Sequence, residues 1–164
     1  ITDRFSKIGS ESKLEDSDII QTIEQNLIYL KARLSKKVEI NFESFINEKT
    51  VVLHNQSLID WVIENLCKNS VDAMGGVGNL KIMVSEEKKN IHIDVSDSGK
   101  GIPLSDQNAI FDPGYSTKKR GWGLGLALVK RIVCEHHKGK VFVLKSKLGE
   151  GTTIRISLPL ETLS

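Results

Sequence analysis

The sequence predicts an α+β domain: a two-layer α/β sandwich whose mixed, mostly antiparallel sheet carries helices on one face. Three observations support this prediction. Short runs of alternating apolar residues indicate strands, three stretches with apolar residues at three- and four-residue steps indicate helices, and residues 97–121 show neither period. The order is strands, helix, hairpin, long loop, helix and hairpin, which is typical of a sheet covered by helices on one side.

Composition limits the function classes. A chain of 164 residues with 39% apolar residues can form one domain without disulfides or metal. The net charge of +2 gives no basis for nucleic-acid binding by bulk charge, so any anion site must be local. No apolar run approaches the roughly 20 residues that cross a bilayer, and we expect no direct membrane contact. Cys67 and Cys134 lack the paired spacing of zinc or redox sites, which favours structural thiols.

The N-terminal part predicts a linker, a helix and two strands. Residues 1–17 are polar and are interpreted as a helix end and linker, so the domain proper is 18–164. Apolar residues recur at helical spacing over 18–34, and Asp16 or Ser17 is a suitable N-cap. Alternating or β-branched residues then predict strands at 38–42 and 50–53.

The remainder predicts two helices and two hairpins. A helix over 56–74 ends where glycines begin at Gly75, and a later one over 124–137 ends at Gly139. The hairpins pair 80–84 with 91–95 and 141–144 with 154–158. Between them lies the loop of residues 97–121, whose length is usually associated with function.

The helix over 56–74 has a polar stripe beside its apolar arc. Asn65, Asn69 and Asp72 follow one another at spacings of four and three, while Glu64 and Lys68, like Asp60, should point to solvent. Such residues are sometimes merely tolerated at the edge of a buried face. Asn, however, is a poor helix former, so two in register need a reason. Magnesium takes oxygen ligands and keeps waters and substrate phosphates, so one amide oxygen can be its only protein ligand.

Two glycine-rich segments suggest a nucleotide. Asp97 ends a strand and begins the run DSGKGI; its carboxylate can accept a hydrogen bond from an exocyclic amine, although Asp-x-Gly is also a common turn. The glycines of this run would let the backbone approach a flat ring.

The run GWGLGL at 121–126 leads into a helix, where backbone N–H groups can converge on phosphate oxygens. It matches neither a Walker A loop nor a Rossmann fingerprint, and a flexible hinge is the alternative interpretation. Lys118, Lys119 and Arg120 upstream supply positive charge.

Five segments in this order resemble the catalytic domain of histidine kinases, in the ATPase superfamily that also holds gyrase B, MutL and a heat-shock chaperone. The resemblance covers residues 38–160. It comprises an asparagine box at 64–73, glycine boxes at 97–101 and 121–126, a nitrogen-regulator-type phenylalanine box at 111–118 and a glycine-threonine segment at 149–152. The fold it implies is the Bergerat-type ATP-binding fold, with residues 99–121 as the nucleotide lid.

The resemblance implies roles for single residues. Asn69 should coordinate Mg2+, Asn65 should act near the phosphates with Lys118, and Asp97 should read the adenine amine of ATP, with Thr152 supporting it through water. The glycines that should wrap the phosphates are Gly121, Gly123 and Gly125. The other implied nucleotide contacts are Asp72, Gly99, Gly101, Ile102, Thr117, Leu124 and Leu126. Asp72 departs from the family, in which Lys or Arg is common.

The asparagine box favours phosphoryl transfer over hydrolysis. Hydrolytic relatives have a general-base glutamate four residues before the metal-binding asparagine, where this chain has Asn65. None of the histidines His54, His92, His136 and His137 fits the family's phosphoacceptor pattern. Residues 1–10 resemble the last turn of the dimerisation helix that precedes this domain in the family, so this chain alone should bind ATP without autophosphorylating.

The implied partners are therefore the dimerisation and phosphoacceptor domain of the same protein and a response regulator. The implied location is cytoplasmic, with membrane anchoring of the parent protein left open. Two alternatives remain at this point: an anti-sigma-type serine kinase of the same superfamily, and a nucleotide-gated interaction module without catalysis.

Overall fold

The computed structural model describes residues 13–46, 49–115 and 125–160. Its strands are β1 (Glu15–Asp18), β2 (Val38–Ser44), β3 (Val51–His54), β4 (Gly78–Glu87), β5 (Asn90–Asp97), β6 (Lys140–Lys147) and β7 (Gly151–Pro159). Its helices are α1 (Ile19–Lys31), α2 (Gln56–Ala73) and α3 (Gly125–Arg131), the last continued by a π-helical turn (Ile132–His136). Two 3-10 turns, Leu104–Asp106 and Ala109–Phe111, lie in the long loop.

Five strands form one sheet in the order β2-β4-β5-β7-β6. β2 runs parallel to β4, and every other neighbouring pair is antiparallel. The prediction of a mixed, mostly antiparallel sheet with helices on one face is therefore confirmed. Both predicted hairpins are present, as β4–β5 and β6–β7.

The core lies between the sheet and the helices. Alternate residues of β5, namely Ile91, Ile93 and Val95, face the helices at 2% exposure or less. The apolar residues of β4 and β7 on the same face are buried as well: Leu80, Ile82, Val84, Ile154, Ile156 and Leu158. Burying each such side chain contributes about 1.5–3 kcal/mol. On the opposite face, Arg155 makes a two-point ion pair with Asp94 across β5 and β7, with N···O distances of 2.8 and 2.9 Å. This pair satisfies the buried Asp94 carboxylate.

The N-terminal segment departs from the linker prediction. Glu15–Asp18 is a strand that pairs antiparallel with β3, and Asp18, rather than Asp16 or Ser17, caps α1 by accepting a hydrogen bond from the Ile20 N–H at 3.0 Å. The strand has no alternating apolar pattern, because its order comes from ladder bonds to β3, and sequence periodicity cannot reveal such a strand. Residues 1–12 lie outside the described ranges, so the helix end predicted there stays a prediction.

The third predicted helix ends within a residue of the predicted position, and its last turn is π-helical. Its α-helical part stops at Arg131, and the chain turns at Lys138, which takes the left-handed conformation with φ +57°. Gly139 is required for a different reason: a Cβ there would lie 2.3 Å from the Ser157 carbonyl oxygen of β7. Close packing on the sheet, not helix termination, explains this glycine.

Within the described ranges, no helix combines the length and the apolar character that a membrane crossing requires.

Candidate functional site

Helix α2 is fixed at both ends by side-chain and backbone hydrogen bonds. Asn55 is the N-cap, and its Oδ1 accepts a hydrogen bond from the Leu58 N–H at 3.0 Å. At the other end, Gly75 (φ +66°) and Gly76 (φ +81°) donate to the carbonyls of Asp72 and Val71. This pair of hydrogen bonds is a Schellman motif, whose left-handed backbone conformation glycine adopts without strain. The predicted end of the helix at these glycines is confirmed.

The polar stripe of α2 meets the start of α3 at Asn65. Asn65 and Asn69 are half-buried, as expected, whereas Asp72 is exposed. The Asn65 Nδ2 donates to the Trp61 carbonyl at 3.0 Å, which turns its Oδ1 toward Gly125. A Cβ on Gly125 would lie 3.2 Å from that oxygen, so this position of the second glycine box leaves room for the amide. The asparagine box and the second glycine box therefore meet at Asn65 and Gly125.

Glu64 does not point to solvent as predicted. It is only 7% exposed, because α1 packs on this side of α2, where Asn26 donates to the Asp60 carbonyl at 3.2 Å. Burial, and secondarily the nearby Glu64 carboxylate, raise the pKa of the Cys67 thiol to about 12. Lys68 is exposed as predicted, and Asp60 is half-buried. The helical wheel alone could not show that α1 covers a second side of this helix.

Asp97 lies at the end of β5, on the sheet face that packs against the helices. Its Oδ1 accepts hydrogen bonds from the Gly99 N–H at 2.9 Å and the Thr152 N–H at 3.3 Å. Asp97 and Thr152 are direct cross-strand neighbours, and Ser146 of β6 is the next residue in the same row. Two backbone donors thus fix the carboxylate, and two hydroxyl groups extend the polar row to the edge of the sheet.

The glycines of the first glycine box are required by the protein's own backbone. A Cβ on Gly99 would lie 2.8 Å from the Ala73 carbonyl group, and one on Gly101 (φ +79°) would lie 2.3 Å from the Lys147 carbonyl oxygen. The loop after Asp97 is therefore clamped between the end of α2 and the β6–β7 turn. The sequence-based explanation, close approach to a flat ring, is not the one that these contacts support.

Ser146 was missed by the sequence analysis. Strict alternation places Lys145, not Ser146, on the face of Val141 and Val143. The pairing register shifts between Val143 and Lys145, and this irregularity moves Ser146 opposite Thr152. No residue in this stretch is typical of such a shift, so periodicity alone could not have found it.

Comparisons with known proteins identify the family and the fold. A family model described as "Histidine kinase-, DNA gyrase B-, and HSP90-like ATPase" matches residues 54–162. The chain belongs to this ATPase family. The predicted family and fold class are confirmed.

Individual relatives include a sensor histidine kinase and a nitrogen regulation protein. The sensor histidine kinase ZraS of Escherichia coli K12 is 42% identical over 99 residues, covering 60% of this chain and 21% of that protein. The nitrogen regulation protein NtrY of Azorhizobium caulinodans is 25% identical over 170 residues, covering 98% of this chain and 22% of that protein. This chain therefore spans about a fifth of the length of these relatives.

Solved structures give the same result. The catalytic domain of histidine kinase ThkA superposes with a TM-score of 0.80 at 26% identity, covering 90% of this chain and 95% of that one. ThkA has also been solved in complex with the response regulator protein TrrA.

The segment predicted to be the lid, residues 99–121, is described as far as Tyr115. Ile110 and Phe111, the latter opening the phenylalanine box, are buried in the core, and their 3-10 turn packs against α3. Partial burial and the Asp106 carboxylate, to which the phenol donates a hydrogen bond, raise the pKa of Tyr115. Gly101 and Ile102, at the start of this segment, lie against β6, where the Ile102 N–H donates to the Ser146 Oγ at 2.8 Å. Five predicted nucleotide contacts lie outside the described residues: Thr117, Lys118, Gly121, Gly123 and Leu124.

The predicted contacts on α3 are described. Gly125 and Leu126 both lie at its start and are half-buried, and Leu126 packs against the core.

Two histidines have structural positions in this ATPase domain. The His54 Nδ1 donates to the Val52 carbonyl at 2.7 Å, and its Nε2 accepts from the Thr22 hydroxyl at 2.9 Å. The His137 Nδ1 donates to the Ile132 carbonyl at 2.9 Å, and its Nε2 accepts from the Asn55 N–H at 3.1 Å. Burial lowers the pKa of both, that of His137 to about 4, so both are neutral at pH 7.

A pre-formed metal cage is absent from the described ranges, where no three His, Cys, Asp or Glu side chains cluster in a way that could hold an ion. The candidate site offers the amide oxygen of Asn65 and the half-buried Asn69 instead. Such sparse neutral oxygen donors suit Mg2+ that arrives with a nucleotide, because Mg2+ keeps waters and phosphate oxygens in its shell.

Proposed function

We propose that this domain binds Mg-ATP and donates the γ-phosphoryl group to a histidine on a dimerisation domain, for relay to a response regulator. The single observation that carries the proposal is that four of the five predicted segments meet in two pairs. Asp97 and Thr152 form a fixed polar row at the end of the sheet, and Asn65 of the asparagine box meets Gly125 of the second glycine box. The similarity to the sensor histidine kinase ZraS and to the catalytic domain of histidine kinase ThkA favours a histidine as the acceptor.

The base-reading part of the site would be Asp97. Its Oδ1 is held by two backbone N–H groups, so the carboxylate is oriented before any ligand arrives. A pre-oriented anionic acceptor beside a hydroxyl suits the 6-amino group and ring nitrogen of adenine. Thr152 would supply that hydroxyl.

The phosphate part would be formed by α2 and the second glycine box. Asn69 would be the protein ligand of Mg2+, and Asn65 would lie beside the phosphates. When bound, the ion neutralises charge on the β- and γ-phosphates. Lys118 and Gly121 are proposed to complete the phosphate contacts from the lid, together with Gly123 and Gly125.

The site favours transfer over hydrolysis. Asn65 occupies the position of the hydrolytic general base and cannot accept a proton. Glu64, the adjacent carboxylate, is buried beside Cys67, away from solvent. Catalysis would therefore rest on positioning the acceptor and on electrostatics.

The acceptor would come from another domain. Of the chain's four histidines, His54 and His137 are buried and hydrogen-bonded through both ring nitrogens. We propose a dimerisation domain and a response regulator of the parent protein as the partners, and a cytoplasmic location. The ThkA–TrrA complex supports the second partner by analogy.

Nucleotide binding is tested with Asn69→Asp and Asp97→Asn. We expect Asp97→Asn to weaken Mg-ATP binding by about 100-fold, since a charge-assisted hydrogen bond to a ligand is worth about 1.5–3 kcal/mol. We expect Asn69→Asp to weaken it as well, because the added negative charge would repel the phosphates. Isothermal titration calorimetry measures the change. The exposed Asn41→Asp and Asp16→Asn make the same chemical changes away from the site and should bind as the wild type does. Wild-type affinity in both site variants would refute the nucleotide assignment.

The acceptor is tested by adding purified dimerisation domain and γ-labelled ATP. We expect labelled phosphate on the added domain that is lost in acid and stable in alkali, as for phosphohistidine. Acid-stable phosphoserine on a partner would instead favour the serine-kinase alternative. Binding without any transfer would favour the non-catalytic module.

A further inference from the structure

Ser146 lies at the centre of a hydrogen-bond network that joins three parts of the candidate site. Its Oγ accepts a hydrogen bond from the Ile102 N–H at 2.8 Å. It also lies 2.7 Å from the Thr152 Oγ1 and 3.3 Å from the Gly151 carbonyl oxygen. One hydroxyl group therefore connects the first residues of the lid, the edge strand β6 and the Thr152 beside Asp97.

The position of Ser146 depends on the register shift in β6. Without the shift, the long cationic Lys145 would occupy the place opposite Thr152. The irregular pairing instead brings a short hydroxyl group into a half-buried position on the helix-facing side of the sheet. Such shifts are often found where a side chain is redirected next to a functional site.

The number of hydrogens limits what this network can do. The Ser146 hydroxyl has one hydrogen, and its oxygen already accepts from Ile102. If Ser146 donates to Thr152, the Thr152 hydrogen is released to point into the site. If Ser146 donates to the Gly151 carbonyl, Thr152 must donate to Ser146 and presents only lone pairs to the site. Ser146 thus decides whether Thr152 is a donor or an acceptor next to Asp97.

We infer that Ser146 is a positioning residue that sets the hydroxyl orientation of Thr152 and thereby the preference of the site for a 6-aminopurine over a 6-oxopurine. The inference rests on the proposed function, because it refines how that nucleotide site selects its base. A carboxylate acceptor at Asp97 and a hydroxyl donor at Thr152 together match the amino group and the unprotonated ring nitrogen of adenine. Hypoxanthine presents a carbonyl oxygen and a ring N–H at the same two places.

The test compares the affinities of Mg-ADP and Mg-IDP, which share the ribose and diphosphate and differ in the base. We expect the wild type to prefer ADP and Ser146→Ala to lower the ADP:IDP affinity ratio by about tenfold, the usual effect of one hydrogen bond at a ligand. Thr152→Val should lower the ratio similarly, and the double variant should lower it no further than either single change.

The chain offers a matched control in a second hydroxyl pair. The Ser96 Oγ lies 2.8 Å from the Thr153 Oγ1 in the neighbouring register row, on the opposite face of the sheet. Ser96→Ala removes an equivalent bond between the same two residue types and should leave the ratio unchanged. Ser146→Thr keeps the hydroxyl in a β-branched side chain that suits a strand. This variant should retain most of the wild-type preference for ADP over IDP.

The outcomes separate this inference from the proposed function. An unchanged ratio in Ser146→Ala, or an equal loss for both nucleotides, would overturn the inference and leave adenine binding intact. Equal wild-type affinity for ADP and IDP would overturn the base reading at Asp97, and the inference with it. Circular dichroism shows whether Ser146→Ala folds. If it does not fold, Thr152→Val and Ser146→Thr still test the inference. A wild-type ADP:IDP affinity ratio in Thr152→Val would overturn it.

Discussion

The side chain of His137 joins the ends of the two helices that carry the candidate site. It accepts from the N-cap residue of α2, Asn55, and donates to Ile132 in the turn that continues α3. The neutral imidazole is suited to this role, because one ring nitrogen donates while the other accepts. Protonation would turn the acceptor nitrogen into a donor that faces another donor.

This arrangement predicts a pH-dependent stability. The pKa of His137 is lowered from 6.5 to about 4 by burial, so the unfolded chain binds the proton more tightly than the folded one. The stabilisation is complete above pH 6.5 and is lost as the pH falls toward 4. We expect the free energy of unfolding to drop by about 2 kcal/mol between pH 7.5 and pH 5, measured by urea unfolding. His54, whose pKa is lowered in the same direction, adds to the effect.

His137→Gln provides the control for this prediction. Glutamine has one donor and one acceptor and does not titrate, so most of the pH dependence should disappear while the fold persists. An unchanged slope in this variant would show that other groups cause the acid sensitivity.

At single residues, sequence reasoning succeeded where one helix or strand decides the environment. The half-buried Asn65 and Asn69 follow directly from helical spacing within α2. It failed for Glu64 and Ser146, because their positions depend on a packed neighbour helix and on a register shift, respectively. Both are tertiary effects that a single sequence does not encode in its periodicity.

At the scale of elements, the turn between β4 and β5 departs from ideal chemistry. Lys88 (φ +49°) and Lys89 (φ +62°) both adopt the left-handed conformation of a type I′ turn, which favours Asn-Gly. The sequence predicted this hairpin from two alternating strands that flank a polar run, although the two lysines are not the residues that this type of turn favours. By contrast, α2 was predicted to its end because Gly75 and Gly76 are the residues that its terminal motif requires.

Replacing Lys89 by glycine should therefore stabilise the domain. The left-handed conformation costs a non-glycine residue about 1 kcal/mol, so we expect a gain of about 1 kcal/mol and a rise in Tm of about 3 °C by calorimetry. Lys145→Gly, in the strand β6, should change Tm in the opposite direction, because glycine weakens a strand interior. A decrease in Tm for Lys89→Gly would indicate that the Lys89 side chain stabilises the hairpin by more than its left-handed backbone conformation destabilises it.

At the scale of the whole molecule, the two layers meet at the candidate site. The sheet supplies Asp97 and Thr152, and the helix layer supplies Asn65 and Gly125. The loop after Asp97 bonds to both layers, since the Lys100 N–H donates to the Ala73 carbonyl of α2 and the Lys100 carbonyl accepts from Gly149 of the β6–β7 turn. The order of the motifs predicted which segments belong to the site. The contacts that hold those segments together depend on packing between layers, which the sequence order does not specify.

The reactivity of Cys67 offers a way to measure whether nucleotide binding holds α2 against the sheet. Its thiol is fully buried in α2 between Asn65 and Asn69, and its pKa is raised to about 12, so it should react with a disulfide reagent only when α2 leaves the core. In a Cys134→Ser variant, which isolates Cys67, Mg-ATP at about 100 times its Kd should slow labelling by about 100-fold, because α2 can then open only after the nucleotide leaves. The Cys67→Ser variant is the control. Its remaining thiol, the half-buried Cys134, lies outside α2, and Mg-ATP should slow its labelling far less. A labelling rate of Cys67 that Mg-ATP leaves unchanged would mean that α2 opens without disturbing the nucleotide, and that the two layers are not coupled through it.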